Sequence, residues 1–300
     1  MSDAPHSAAY FGEFRDYWWN KDHLRLCVER IGLRDVRTVL DVGSGQGHWG
    51  RLLAPLLHPE ITLTGIDREP EWVAEATRRA REAGLDHRFR YLEGDATALP
   101  FEDDSFDLVT CQTVLIHLAD PAAAIREMAR VARPGGVLLA SEPNNRSLTL
   151  IHTNVTADAP VEEVVDLVRF YVTCERGKVA LGLGNSSLGD VLPGILTAAG
   201  LTDVQVFLSD KPSTLVPPYA TEEQQTLRDQ IIDDSDEPFG WSADEARRYW
   251  LAGGGAAEEF EAAWERRCAE ARALARAAEA GTLHEAGGHV LYLVAGRVPG

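Results

Sequence analysis

The chain has 300 residues, 45% hydrophobic and 25% charged. That is the balance of a globular protein with room for one large domain or two small ones, and it excludes collagen, low-complexity disorder and a small disulfide scaffold. Forty-seven acids against twenty-nine bases give a net charge of −18, which argues against nucleic acid and anionic membranes as partners, because both are gripped through Lys and Arg.

Taken in chain order, residues 10–33 read as an aromatic-rich helix. Tyr10, Phe11, Phe14, Tyr17, Trp18 and Trp19 come first, then Leu24, Leu26, Val28 and Ile31, with Gly32 as a stop. From residue 36 short apolar runs alternate with helical stretches. Strands are predicted at 36–42, 61–66, 89–93, 106–111 and 137–141, and helices at 49–57, 71–83 and 121–132. Such alternation predicts an α/β fold, a mainly parallel sheet with helices on both faces. Residues 145–186 break the pattern with one amphipathic helix at about 160–172, carried by Val161, Val164, Val165, Val168 and Val172. A helix at 189–199, a Gly200 cap and a strand at 204–208 resume it. A second interruption, 211–286, holds Pro212, Pro217 and Pro218, the acids Asp233, Asp234, Asp236 and Glu237, and a long Ala-rich helix to Ala280. A last strand covers 289–298.

The expected organisation is therefore an N-terminal helical lid over 1–35, a core over 36–145, a helical insertion over 146–186, the core again over 187–210, a helical cap over 211–287 and a final core strand over 288–300. Both interruptions follow strands whose ends face one rim, where ligands of open α/β sheets bind. No run approaches the ~18 apolar residues of a membrane span, and the first residues lack the pattern of a signal peptide, so a cytoplasmic protein is expected. The cysteines, Cys27, Cys111, Cys174 and Cys268, are scattered without metal-ligand spacing. No metal site is expected. Oligomeric state is not readable from the sequence.

The strongest local signal is Leu40-Asp41-Val42-Gly43-Ser44-Gly45-Gln46-Gly47, a strand ending in an acid and followed by three alternate glycines that open a helix. Glycines there tolerate positive φ and let a ligand approach the backbone. Asp41 can accept from an ammonium group. Asp67 ends the second strand, where an acid can hold two ribose hydroxyls. Asp95 follows the third, placed for the amino group of an adenine.

With those motifs in order, the chain resembles a class I S-adenosylmethionine (SAM)-dependent methyltransferase of the small-molecule type. Gly65-Ile66-Asp67, Glu93-Gly94-Asp95-Ala96, Phe106-Asp107-Leu108-Val109 and Arg133-Pro134-Gly135-Gly136 add to the match, which covers about residues 36–145, 187–210 and 288–298. The resemblance implies a Rossmann-like seven-stranded sheet with an antiparallel last strand, helices on both faces, and helical lid insertions after strands 5 and 6. It implies SAM as cofactor and S-adenosylhomocysteine (SAH) as product. It places Gly43, Gly45 and Gly47 against the methionine part and ribose, Asp41 near the amino group, Asp67 on the ribose, and Arg68, Asp95 and Ala96 at the adenine. Gln112 reaches the methionine portion, and His117 stands at the edge of the acceptor pocket.

Rival readings have specific weaknesses. Gly45-Gln46-Gly47-His48-Trp49-Gly50 satisfies GxGxxG with Asp67 beyond it. An NAD(P)-binding oxidoreductase would, however, leave Asp41 and Asp95 without a role. A base methylase needs an Asn/Asp-Pro-Pro-aromatic tetrad after strand four, where this chain has Thr110-Cys111-Gln112-Thr113. A non-catalytic SAM-binding protein is the alternative outside enzymes, although no motif is degraded.

For the acceptor, two readings stand beside each candidate. His117 is the candidate catalytic base or a packing residue. Glu142 and Asn144 bind a polar acceptor or cap the following segment. Tyr17 and Trp19 line the active site as part of a lid or pack in the core, and Arg15 could meet the SAM carboxylate. Two insertions suit a small or medium organic acceptor, or the end of a peptide.

Overall fold

The computed structural model describes residue 15, residues 17–288 and residues 290–300. Its centre is a seven-stranded sheet in the order β3-β2-β1-β4-β5-β9-β6. The strands are β1 (Thr38–Val42), β2 (Thr62–Asp67), β3 (Phe89–Glu93), β4 (Phe106–Gln112), β5 (Ala132–Asn144), β6 (Thr202–Leu208) and β9 (Val290–Arg297). β1 to β5 pair in parallel, and β9 runs antiparallel between β5 and β6. The Rossmann-like topology implied by the motifs is thus the observed one.

The central strands are apolar on both faces because helices cover both. On one face Val39, Leu63, Leu108 and Leu139 meet α1 (Lys21–Ile31), α2 (His48–Leu53) and α3 (Pro70–Glu82). On the other, Leu40, Val109, Leu138 and Val294 meet α4 (Pro121–Val131) and α6 (Leu192–Ala198). Asp120 caps α4 by accepting from the Ala123 amide at 3.0 Å, a bond worth about 1 kcal/mol. At the end of the sheet away from the strand tips, Asp107 accepts from the Arg37 and Thr38 amides at 2.7 and 3.0 Å. It thereby locks the start of β1 to β4.

The remaining elements gather over the tips of β5, β9 and β6. They are α5 (Val161–Ala180), β7 (Ser213–Leu215), α7 (Glu222–Asp233), α8 (Ala243–Ala252), α9 (Ala257–Glu279) and β8 (Glu285–Gly287). α5, α8 and α9 share an aromatic core of Phe170, Tyr171, Trp241, Tyr249, Trp250, Phe260 and Trp264. Phe170 stacks on Trp250 with centroids 5.4 Å apart. β7 and β8 form a two-stranded ribbon of their own.

Several expectations need correction. The predicted helix over 10–33 appears, within the described residues, only from Lys21, because Asn20 caps it by accepting from the Asp22 amide. Tyr10, Phe11 and Phe14 lie outside the described residues. Trp18 and Trp19 precede the helix. The helix expected at 160–172 runs to Ala180, and the one at 189–199 shortens to 192–198, where Pro193 falls in its first turn. The predicted strand at 137–141 extends to 132–144 because β9 pairs with its whole far half. Neither α7, α8 nor the β7–β8 ribbon was expected as an element.

Candidate functional site

The tips of β1, β2, β3 and β4 open on a cleft of about 230 Å3. Its floor is the turn after β1. Gly43 has φ 64° there, and a Cβ would run into the Val114 methyls, so only glycine fits beneath a ligand. Gly47, φ 72°, opens α2, and a Cβ there would strike the Tyr91 hydroxyl. Main-chain bonds hold the turn against β2: the Ser44 amide donates to Ile66 O at 2.9 Å, and the Gly45 amide to Asp67 Oδ2 at 2.8 Å.

Asp67 lines the cleft, and its Oδ1 also accepts from the Glu69 amide at 3.0 Å. A carboxylate offers about four lone-pair sites, so two amides leave acceptor capacity for a ligand's hydroxyls. Arg68 and Trp72 follow on the same wall. Asp95 and Ala96 lie just beyond the tip of β3, and Asp95 is fixed by the Thr97 amide and hydroxyl, both at 2.7 Å. Those bonds hold its carboxyl below the usual range.

Gln112 ends β4 with 5% exposure, and neither polar atom of its side-chain amide has a partner among the described residues. A buried amide with unmade hydrogen bonds on the wall of a cleft is a ready ligand contact, because leaving it unsatisfied is costly. The next residue, Thr113, has φ 52°, a strained conformation for a β-branched residue. Its amide donates to Ser141 O at 2.9 Å. Beyond it a short 3-10 turn, Leu115–His117, brings His117 to the cleft. Arg15 completes the lining, its guanidinium 5.1 Å above the Trp18 ring, and burial lowers its pKa to about 10.

The cleft therefore brings together Gly43, Asp67, Arg68, Asp95, Ala96, Gln112 and His117. Other predicted residues lie elsewhere. Gly45 and Gly47 shape the turn without lining the cleft. Asp41 is buried behind it, accepting from the Gly50 amide at 3.1 Å, and its Oδ1 has no partner among the described residues. Burial pushes its carboxyl up to about 7.

The predicted substrate residues are corrected more sharply. Trp19 is 3% exposed and packs on Trp49 with centroids 5.6 Å apart, so it belongs to the core. Tyr17 is partly buried and does not line the cleft. Glu142 is fully buried under the 114–117 turn, where its Oε1 accepts from the Val114 and Leu115 amides at 3.0 and 2.9 Å. Burial raises its carboxyl to about 7 against the pull of those amides. It supports the His117 turn and does not line the cleft. Asn144 caps the segment after β5 by accepting from the Arg146 amide at 3.2 Å and donates to Asp190 at 3.3 Å. The capping reading is the observed one for Asn144 alone; Glu142 holds the earlier 114–117 turn and caps nothing that follows it. Missed in the sequence were Trp72, Thr97, Thr113 and Val114. Their one available signal was position, within about five residues of a strand tip.

Among the described residues no group of His, Cys, Asp and Glu could hold a metal ion, and no helix is long and apolar enough to cross a membrane.

Comparison with known proteins follows the same lines. A family model described as a methyltransferase domain matches residues 33–199. An uncharacterized methyltransferase, YcgJ of Bacillus subtilis (strain 168), is 36% identical over 118 residues, 39% of this chain and 45% of that protein. A demethylmenaquinone methyltransferase of Listeria monocytogenes is 35% identical over 129 residues, 42% of this chain and 52% of that protein. The matched part thus spans about half the length of these relatives. The crystal structure of YcgJ superposes with a TM-score of 0.53 at 22% identity, covering 94% of this chain and all of that one, a likeness of fold.

Proposed function

This chain belongs to the methyltransferase-domain family, and from that premise we propose that it is a SAM-dependent methyltransferase whose cleft holds SAM and delivers its methyl group to a small or medium organic acceptor, or the end of a peptide. What carries the reading is one cleft that joins Asp67, Asp95 and the unsatisfied Gln112 amide above a turn with no room for a Cβ at Gly43. The residues fit the cofactor. Asp67 has acceptor sites left for two ribose hydroxyls. Asp95 and Ala96 meet the adenine edge, with Trp72 and Arg68 beside the ring. Gln112 and the Gly43 turn take the methionine portion, and Arg15 its carboxylate.

Bound SAM supplies a methyl group on a sulfonium, an electrophile with its leaving group built in. The chain's own work is then alignment and exclusion of water. Gly43 and Val114 set the floor against which the ligand rests. Glu142 holds the 114–117 turn through two amides, and that turn presents His117. Where the acceptor carries a proton, the His117 imidazole receives it. The acceptor comes from the side of the helical elements after β5 and β6.

Calorimetric titration with SAH and with NAD tests the assignment. SAH is expected to bind and NAD to give no heat. NAD binding in place of SAH would transfer the cleft to the dinucleotide reading.

A further inference from the structure

A second cavity lies within the helical half of the molecule. Its volume is about 360 Å3, against 230 Å3 for the cleft, and no residue lines both. That size is ordinary for a small-molecule site. Its walls come from segments distant in sequence: Thr149 after β5, Ile231 on α7, Arg267 and Leu274 on α9, and Glu285 on β8. β5 and β6 end, and β9 begins, at the rim that also carries the cleft, and β5 is the neighbour of β4. The cavity therefore stands over the adjoining half of that rim.

Its charges do not balance. Arg267, 5% exposed, donates through Nη1 to Glu270 Oε2 at 3.0 Å, and these two cancel. Asp234 and Glu285 remain, and neither has an ion-pair partner among the described residues. Asp234 has the Gln230 amide nearby, whereas Glu285 has no side-chain hydrogen bond among the described residues. Burial raises both carboxyls. The other N–H groups of Arg267 also lack a protein acceptor among the described residues. Leu167, Ile231, Phe239 and Leu274 supply the apolar walls. Glu285, partly buried, and Asp234, at the exposed mouth, are two uncompensated carboxyls bordering a half-open, apolar-walled cavity, and a cation seated there relieves the cost of their partial burial. The unpaired guanidinium donors accommodate an oxygen on the same ligand.

We propose that this cavity binds an organic ammonium ion on an apolar body, with Glu285 and Asp234 receiving the ammonium, so that the enzyme's acceptors are amine-bearing molecules. The ammonium is the recognition handle and need not be the atom methylated. The acceptor role rests on the methyltransferase reading above; the preference for an ammonium ligand does not.

Three matched probes test it on the full chain: phenethylamine, 2-phenylethanol and phenylacetate, titrated by calorimetry with and without saturating SAH. Phenethylamine is expected to bind at least tenfold more tightly than the alcohol, with phenylacetate weakest, and SAH should not displace it. In Glu285→Gln the preference should fall to within about twofold while SAH affinity stays unchanged, which also shows that the variant is folded. Should Glu285→Gln misfold, Asp234→Asn is read in the same way. Equal binding of the three probes, displacement by SAH, or a preference that survives both substitutions overturns the proposal. Amine selectivity without SAH binding would instead overturn the methyltransferase reading and leave the ammonium site standing.

Discussion

The cleft over β1–β4 and the cavity over β5, β9 and β6 share one rim but are built differently. The cleft is mostly main chain: a glycine turn, amides held by Asp67, and side chains within a few residues of a strand tip. The cavity is side chain, drawn from residues 148 to 288 and backed by stacked aromatics such as Phe170 and Trp250. A main-chain site is set by local sequence and tolerates little change at the turn itself. A side-chain site can be re-lined without disturbing the sheet. On this account the cleft fixes the cofactor and the helical half chooses the acceptor.

Substitutions that strike one half alone sharpen that division. The largest effect is expected from His117→Ala, which should lower methyl transfer from labelled SAM by about 10²–10⁴-fold, with SAH affinity nearly unchanged. Equal losses in both would make His117 a packing residue. Asp67→Ala should weaken SAH binding by about 10–100-fold, the worth of about 1.5–3 kcal/mol for hydrogen bonds to a charged group. Binding of the amine probe should be untouched; if it fell in parallel, the two halves would be coupled and the division would fail.

Gly177→Ala attacks the other half. A Cβ there would overlap the Tyr249 carbonyl where α5 meets α8. Overpacking of this kind costs about 1–3 kcal/mol, visible in urea unfolding. SAH affinity of the folded fraction should be retained. The smallest effect concerns pH. In the folded chain Glu142 keeps its proton up to about 7, against an ordinary value of 4.5. The native state binds more protons than the unfolded one across that window, so this group's contribution falls as pH rises from about 4.5 through 7. Glu142→Gln removes the dependence and should narrow the Tm difference between pH 5 and pH 8 by about 2 °C. An unchanged difference would mean that Glu142 does not titrate there.

How much could be read in the sequence follows the same division. Asp41-Val42-Gly43, Asp67 and Asp95 sit where strand periodicity ends, so the strand positions and most of the cleft were legible. Asp41 shows the limit: its place at a strand tip was visible, its burial behind the turn was not. Trp19 and Glu142 were misread because residue type suggested contact with a ligand, whereas Trp49 and the 114–117 amides claim them. The cavity was invisible because Thr149, Asp234, Arg267 and Glu285 come together only through packing between distant segments. No local spacing encodes that.

The most direct test of the central claim is a crystal structure of the full chain with SAH. The account predicts the adenine beside Asp95 and Ala96, both ribose hydroxyls within hydrogen-bonding distance of Asp67, and the amide of Gln112 satisfied by the amino-acid portion. SAH bound outside this cleft, or inside it with Asp67 and Gln112 untouched, would contradict the account.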